Sequence, residues 1–329
     1  MTGKILALHP TTVTVTGSCR PRPRCLLDSP LEVAGKAAQA RSRRSSPARK
    51  PVKYYRRYKW WRTSRSGSIG RSRSMITLYS YPALFGVADN SGYGLKVFAF
   101  LRLVAAMHER FGRPASTQPQ HARGVPFVHA HIFDASAAPR GQLPYILDDG
   151  EMIGDSDTII AHLISNYALT IDAALGAHER DLSLLISRML DDLYWVMSYS
   201  RWKDERYWPA FRDALMREHP SLSAEGLQKA RDYNLQRYHF QGIGRYTPAA
   251  AYARGLADLK VLADLAPATG YVHGAAPTSI DAGIYGFIAN IYFYDIETPL
   301  KQFVAAQKNL VHHCSEIHKT VMGGRASYM

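Results

Sequence analysis

The sequence predicts an α/β domain followed by an all-helical one, and three features carry that prediction. Residues 141–163 (GQLPYILDDGEMIGDSDTIIAHL) contain a short apolar run led by Pro144, a turn at Asp148-Asp149-Gly150, a second strand-like piece and then a helical pattern at Ile159, Ile160 and Leu163. A long amphipathic pattern follows from Leu182 onward. Near the end, Thr278 and Asp281 stand three apart at the head of an apolar helix, the spacing of a capping box with Asp in place of Glu or Gln.

From Met75 the elements read in order. A strand over 76–81 is stopped by Pro82, and a loop rich in Gly, Asn and Ser leads to a helix over 93–110. Its apolar positions Leu95, Phe98, Ala99, Leu101 and Ala105 recur at helical spacing. Residues 111–125 read as an irregular insertion, long for a connection inside a compact domain. A strand over 127–133 precedes an Ala/Pro loop with Arg140. Pro144 cannot donate to a sheet ladder, so it marks an edge, a bulge or a cis bond. Asp155 and Ser156 sit where the next helix begins, and a Ser cap there gathers hydroxyl, carboxylate and free backbone N–H groups suited to a small carboxylate. The second half starts near Ala173. Leu182, Leu185, Ile186, Met189, Leu190, Leu193, Val196 and Met197 form one stripe of a helix, while Arg188, Asp191, Trp195 and Trp202 fall on the other side. The two tryptophans either line a ligand cleft or pack on neighbouring helices.

Charge divides the chain at Met75. Residues 1–74 carry 18 Lys and Arg against Asp28 and Glu32, whereas the remainder holds 23 basic and 25 acidic residues. The overall charge of +14 therefore belongs to a basic, Arg/Ser/Pro-rich extension without periodicity, expected to be disordered. Four readings of it stand: a start upstream of the true one at Met75, a transit peptide, a stacking surface for single-stranded nucleic acid, and a contact for anionic membrane. The first is preferred, because Met75 immediately precedes a clean strand, and nucleic acid is not expected as a partner of the body. No apolar run is long enough to span a membrane. Cys19 and Cys25 lie in the extension and Cys314 alone in the body, which points to a reducing compartment, the cytoplasm, and excludes a Cys-x-x-Cys redox centre. His129 and His131 share a strand face but lack a third ligand, so no metal is expected and they read as exposed histidines.

Taken together, strand, helix, strand, connection, two strands and helix is the order of a thioredoxin-type domain. The Pro144 hairpin with its capped helix resembles the second half of that domain in the glutathione transferase superfamily. Asn90-Ser91-Gly92-Tyr93-Gly94-Leu95-Lys96 is similar to the Ser-x-aromatic-x-x-Lys pattern of the branch containing the failed-axon-connections proteins and the metaxins. Gly92 departs from the proline common after that serine. MLDDLYWVMSYSRWKDERYW (189–208) and GIGRYTPAAAYARGLADL (242–259) resemble bacterial members of the same branch, and the Thr278-x-x-Asp281 element resembles the folding module of the helical domain. The resemblance covers about residues 76–320.

It implies a thioredoxin-like domain over 75–166, an all-helical domain over 173–322, and a protein that binds glutathione as co-substrate and conjugates it to a small electrophile in detoxification. The implied catalytic group is Ser91, at the N-cap of the first helix, where a hydroxyl and the helix dipole favour a thiolate; simple capping is the alternative. Tyr79 and Tyr81 read as packing residues. Leu143, ahead of an expected cis Pro144, would pair its backbone with the cysteinyl amide. Ser156 would hold the γ-glutamyl carboxylate with Asp155 beside it, and Arg140 could meet the glycyl carboxylate. Trp195 and Trp202 would line the substrate cleft. A homodimer is the expected assembly, and a non-catalytic adaptor on the same fold is the rival reading. A chain starting at Met75 is expected to melt as cooperatively, and at the same temperature, as the full chain; a large drop in Tm would show that 1–74 contribute to the fold.

Overall fold

A computed structural model describes residues 75–323, so the basic extension, with Cys19 and Cys25, lies outside the described residues. β1 (Ile76–Ser80) is central in a four-stranded sheet. It pairs in parallel with β2 (Phe127–His131) and antiparallel with β3 (Tyr145–Asp148), which pairs antiparallel with β4 (Glu151–Gly154). The order β2-β1-β3-β4 follows from the connections. A helix-containing crossover is needed to make β1 and β2 parallel, whereas the Asp149-Gly150 turn suffices for the β3–β4 hairpin. Both turn residues have positive φ (50° and 86°), as the primed hairpin turns require.

α1 (Gly92–Phe111) carries the crossover, and α2 (Ser156–Asn166) follows β4. Both helices bury one face: Leu95, Phe100, Leu103 and Val104 from α1, Ile159 and Leu163 from α2. The 111–125 segment is more ordered than its composition suggests. The Ala115 N–H donates to the Ala122 carbonyl, and Ser116 bridges to Leu169.

The remaining chain is helical: α3 (Ala177–Trp202), α4 (Trp208–Glu218), α5 (Ala224–Gln241), α6 (Pro248–Leu265), α7 (Ser279–Tyr292), α8 (Pro299–Ala306) and α9 (Lys308–Gly323). The fold class is thus an α/β thioredoxin-like part followed by an all-helical part. α6 and α8 each start with Pro at the first helical position behind a Thr whose hydroxyl accepts a backbone N–H, a start signal that needs no tertiary help. In α3 the apolar stripe is buried at Ile186, Leu190, Leu193, Val196 and Met197, but Leu185 is 66% exposed. The periodic reading fails there because the stripe drifts around this 26-residue helix and its first turns have no neighbour on that side.

α7 is buried on all sides, the mark of a central helix; every residue from Ile280 to Ile291 is inside. It lies against the first turns of α1. A Cβ on Gly286 would sit 2.5 Å from the Gly92 carbonyl oxygen and 2.8 Å from the Lys96 nitrogen, so only glycine permits that approach.

Asp281 anchors the start of α7. Its carboxylate accepts the Thr278 N–H at 2.8 Å, as a capping box demands, but the Thr278 hydroxyl donates to the same carboxylate at 2.8 Å. The Val272 N–H (3.0 Å) and His313 Nε2 (2.8 Å) complete its shell. Burial alone would raise this carboxyl's pKa; His313 and the other donors outweigh it and hold the group below the usual range. Asn309 ties α9 to α6 by donating to the Ala263 and Ala266 carbonyls. Cys314 is fully buried on α9.

Asp281→Ala leaves His313 buried without its acceptor. The expected cost is about 3–5 kcal/mol, a fall in Tm on the order of 10 °C for a body of this size. The wild-type advantage is full above the carboxyl's unfolded pKa and is lost as pH falls through its lowered folded pKa, so thermal melts should show the gap narrowing on acidification.

Candidate active site

Two adjoining clefts of about 640 and 540 Å³ open beside the sheet. The first is lined by Arg140, Leu143, Pro144, Asp155 and Ser156 from the sheet side and by Tyr93, Arg188, Asp191 and Trp195 from α1 and α3. The second is more apolar and holds Ser91, Tyr81, Phe133, Met197, Trp202 and Leu227. Tyr194 and Arg237 line both.

In the first cleft the Leu143–Pro144 bond is cis. Leu143 precedes β3, and its backbone N–H and carbonyl have no hydrogen-bond partner among the described residues, leaving both open to an extended ligand. Asp155, at the head of α2, has φ 79°, a conformation a non-glycine residue holds only when fixed. Its Oδ1 accepts the Thr158 N–H (3.0 Å) and hydroxyl (3.1 Å), and its Oδ2 pairs with Arg140 at 3.2 Å. Asp155 is therefore the N-cap and Ser156 is the first helical residue, a correction to the expected Ser cap. The consequence is chemical: the buried Ser156 hydroxyl makes no hydrogen bond to another described residue and faces the cleft together with a helix N-terminus. Arg140 is exposed and already paired with Asp155. Trp195 lines this cleft and Trp202 the second, though Trp202 also stacks on Trp208 at 5.4 Å.

Ser91 occupies the N-cap position of α1 as expected, yet its hydroxyl makes no cap bond. Asp89 Oδ1 accepts the Ser91 N–H at 2.6 Å, and Asp89 fits only because Gly94 has no Cβ to strike its carboxylate. The loop is also gripped from the helical part. Arg201 on α3 donates to the Asn90 carbonyl (2.7 Å) and side chain (3.0 Å) and to the Asn290 side chain (3.2 Å) on α7. Asn290 in turn donates to the Asp89 carbonyl at 3.1 Å. Lys96 is buried and ion-paired with Asp157 on α2, and the Tyr93 hydroxyl donates to Asp191 at 3.2 Å. Tyr93 and Lys96 of the Ser-x-aromatic-x-x-Lys stretch thus fix α1 to α3 and α2.

Asp89, Arg201 and Asn290 were not foreseen. The available signals were an Asn inside the apolar run Ile288-Ala289-Asn290-Ile291 and an Arg among aromatics on α3. Tyr79 and Tyr81 both pack against Ala138, Leu143 and Tyr145 as expected, Tyr79 stacking on Tyr145 at 4.6 Å; Tyr81 also borders the second cleft, and burial, then Tyr194 and Asp89, push its hydroxyl pKa up to about 12. His131 is exposed as expected, but His129 is half-buried, hydrogen-bonded to Ser80 at 2.7 Å and lying 4.9 Å from the Phe98 ring; burial, then His131, push its pKa down to about 3. Among the described residues no cluster of three or more His, Cys, Asp or Glu side chains could hold a metal. No described helix is long and apolar enough to cross a membrane.

The sequence matches the family model of the glutathione S-transferase N-terminal domain over residues 121–207 and that of the C-terminal domain over 255–317. It is 28% identical to an isoprene-epoxide–glutathione S-transferase of Rhodococcus sp. (strain AD45) over 250 residues, 74% of this chain and 98% of that one. It is 25% identical to Failed axon connections of Drosophila melanogaster over 266 residues, 74% of this chain and 57% of that protein. Among solved structures, a glutathione S-transferase of Methylobacterium radiotolerans in complex with glutathione sulfonate aligns with a TM-score of 0.45 at 14% identity, covering 78% of this chain and 93% of that one. Over both matched regions the chain is similar to glutathione S-transferases.

Burial pushes the Asp89 pKa up to about 7, against the pull of Ser80, the Ser91 and Tyr81 N–H groups and Arg201. A carboxyl whose folded pKa lies above its unfolded one binds a proton on folding, so stability falls as pH rises from about 4 to about 7. Asp89→Asn removes that term: denaturant titrations at pH 5 and pH 8 should show the variant gaining on wild type at the higher pH. An equal difference at both would show that Asp89 does not titrate in this window.

Proposed function

We propose that the protein binds glutathione in the first cleft and conjugates it to a small electrophile held in the second. One observation carries the reading: an unpaired backbone at Leu143, a free Ser156 hydroxyl at a helix N-terminus and a free Ser91 hydroxyl border two joined clefts. The Leu143 N–H and carbonyl pair with the cysteinyl amide. Ser156 and the first N–H groups of α2 take the γ-glutamyl carboxylate. Asp155 acts by holding the strained turn, and Arg140 at the rim is the candidate for the glycyl carboxylate. The Ser91 hydroxyl donates to the thiolate beside the N-terminus of α1, which favours the anion. Sulfur then attacks an electrophilic carbon bound among Phe133, Met197, Trp202 and Leu227. The isoprene-epoxide relative supports an epoxide as one such electrophile. Likeness to Failed axon connections supports the rival reading, a non-catalytic interaction protein on the same fold.

The two serines should fail differently. Ser156→Ala removes a hydrogen bond to a charged group in ground and transition states alike, worth roughly 1.5–3 kcal/mol, so calorimetry should show glutathione bound about 10- to 100-fold more weakly. Ser91→Ala should lower kcat with little change in affinity, and with no loss of Tm, because its hydroxyl caps nothing. Wild type that neither binds glutathione nor turns over a model electrophile would leave the interaction reading standing.

A further inference from the structure

Four arginines line the two clefts, and three are spoken for. Arg140 pairs with Asp155 at 3.2 Å, Arg188 with Asp191 at 3.4 Å, and Arg201 is spent on Asn90 and Asn290. Arg237, on α5, is different. It faces the junction shared by both clefts, and it makes no ion pair with a carboxylate among the described residues. Its guanidinium lies 5.1 Å from the Trp195 ring, 5.7 Å from Tyr233 and 5.9 Å from Tyr194. It donates to Asn234 Oδ1 at 3.1 Å and towards the Tyr194 hydroxyl at 3.5 Å. A guanidinium has five N–H donors, so several remain for a ligand. Half-buried and held on ring faces without a counter-charge, the cation stabilises negative charge that appears beside it and needs no rearrangement to do so.

The position defines which charge that is. Glutathione lies in the first cleft and its thiolate points towards Ser91 in the second, so the reacting carbon sits where the two meet. We propose that Arg237 receives the oxygen of an electrophile whose leaving atom is an oxygen that stays attached to the carbon frame, the chemistry of a strained cyclic ether. The proposal rests on the transferase reading above. In the step, a C–S bond forms as a ring C–O bond breaks, the electron pair goes to the oxygen as an alkoxide held by Arg237, and a proton from water then neutralises it. Arg237 would therefore select the electrophile, and the apolar wall of the second cleft would bind its hydrocarbon part.

A matched pair of probes isolates the effect. Styrene oxide and benzyl chloride are both attacked by the thiolate beside a phenyl ring, but the first develops a basic alkoxide and the second releases weakly basic chloride. Arg237→Gln should lower kcat/KM for styrene oxide about 100-fold, in the range seen for loss of an oxyanion donor, and for benzyl chloride by no more than about fivefold. Arg237→Lys should recover part of the styrene oxide rate, and calorimetric glutathione affinity should stay within about twofold in both variants. Equal losses on both electrophiles with weakened glutathione binding would overturn the proposal and make Arg237 a glutathione residue. Unchanged kinetics would overturn it as well. Wild type that conjugates benzyl chloride but not styrene oxide defeats the Arg237 assignment alone, whereas wild type that binds no glutathione and conjugates neither defeats the transferase reading beneath it.

Discussion

The close approach of α7 to the first turns of α1 is the constraint on which the site depends. It exists because position 286 has no side chain, and it brings Asn290, one turn further along α7, within reach of the loop that carries Ser91. Arg201 completes the arrangement from α3. The loop that presents the candidate catalytic hydroxyl is thus gripped by residues from α3 and α7 at once. The Ser91 hydroxyl makes no cap bond, and its backbone N–H is held separately by Asp89. A serine relieved of capping keeps its hydroxyl for a ligand.

The same division of labour recurs at α2. Asp155 caps and bears the strained φ, and the neighbouring Ser156 is left uncommitted. At both helix starts an aspartate does the structural work and a serine two positions or one position later faces a cleft. Around them the polar groups are mostly matched in pairs: Lys96 with Asp157, Tyr93 with Asp191, Arg140 with Asp155. Ligand-binding capacity therefore resides in the few groups left out of these pairs.

Much of this was legible in the sequence, and the failures have physical causes. Periodicity located the strands and α1, α3 and α7, because each buries one face or all of them. The cis Leu143–Pro144 bond and the Asp281 anchor followed from motifs whose geometry is local. Leu185 was misplaced since a stripe says which side is apolar and not whether anything covers it. Ser156 and Asp155 exchanged capping roles because adjacent Asp and Ser are both good caps, and only the backbone dihedrals decide between them. Arg201 is joined to Asn90 across 111 residues and to Asn290 across 89, and Asn290 to Asp89 across 201, separations at which neither spacing nor propensity carries information. Tyr81 packs as its place at the end of β1 suggests, while its second role, bordering the second cleft, depends on α3 and α5 and has no local signal.

Cys314 has one further consequence. It is the sole cysteine among the described residues, enclosed within α9's packing, and burial holds its thiol protonated well above the usual range. Disulfide exchange needs a thiolate with access to solvent, and Cys314 offers neither. The described body is therefore blind to the redox state of a thiol pool around it: oxidised low-molecular-weight disulfides find no partner there, and a rise in oxidant neither cross-links two copies through this residue nor caps it with a mixed disulfide.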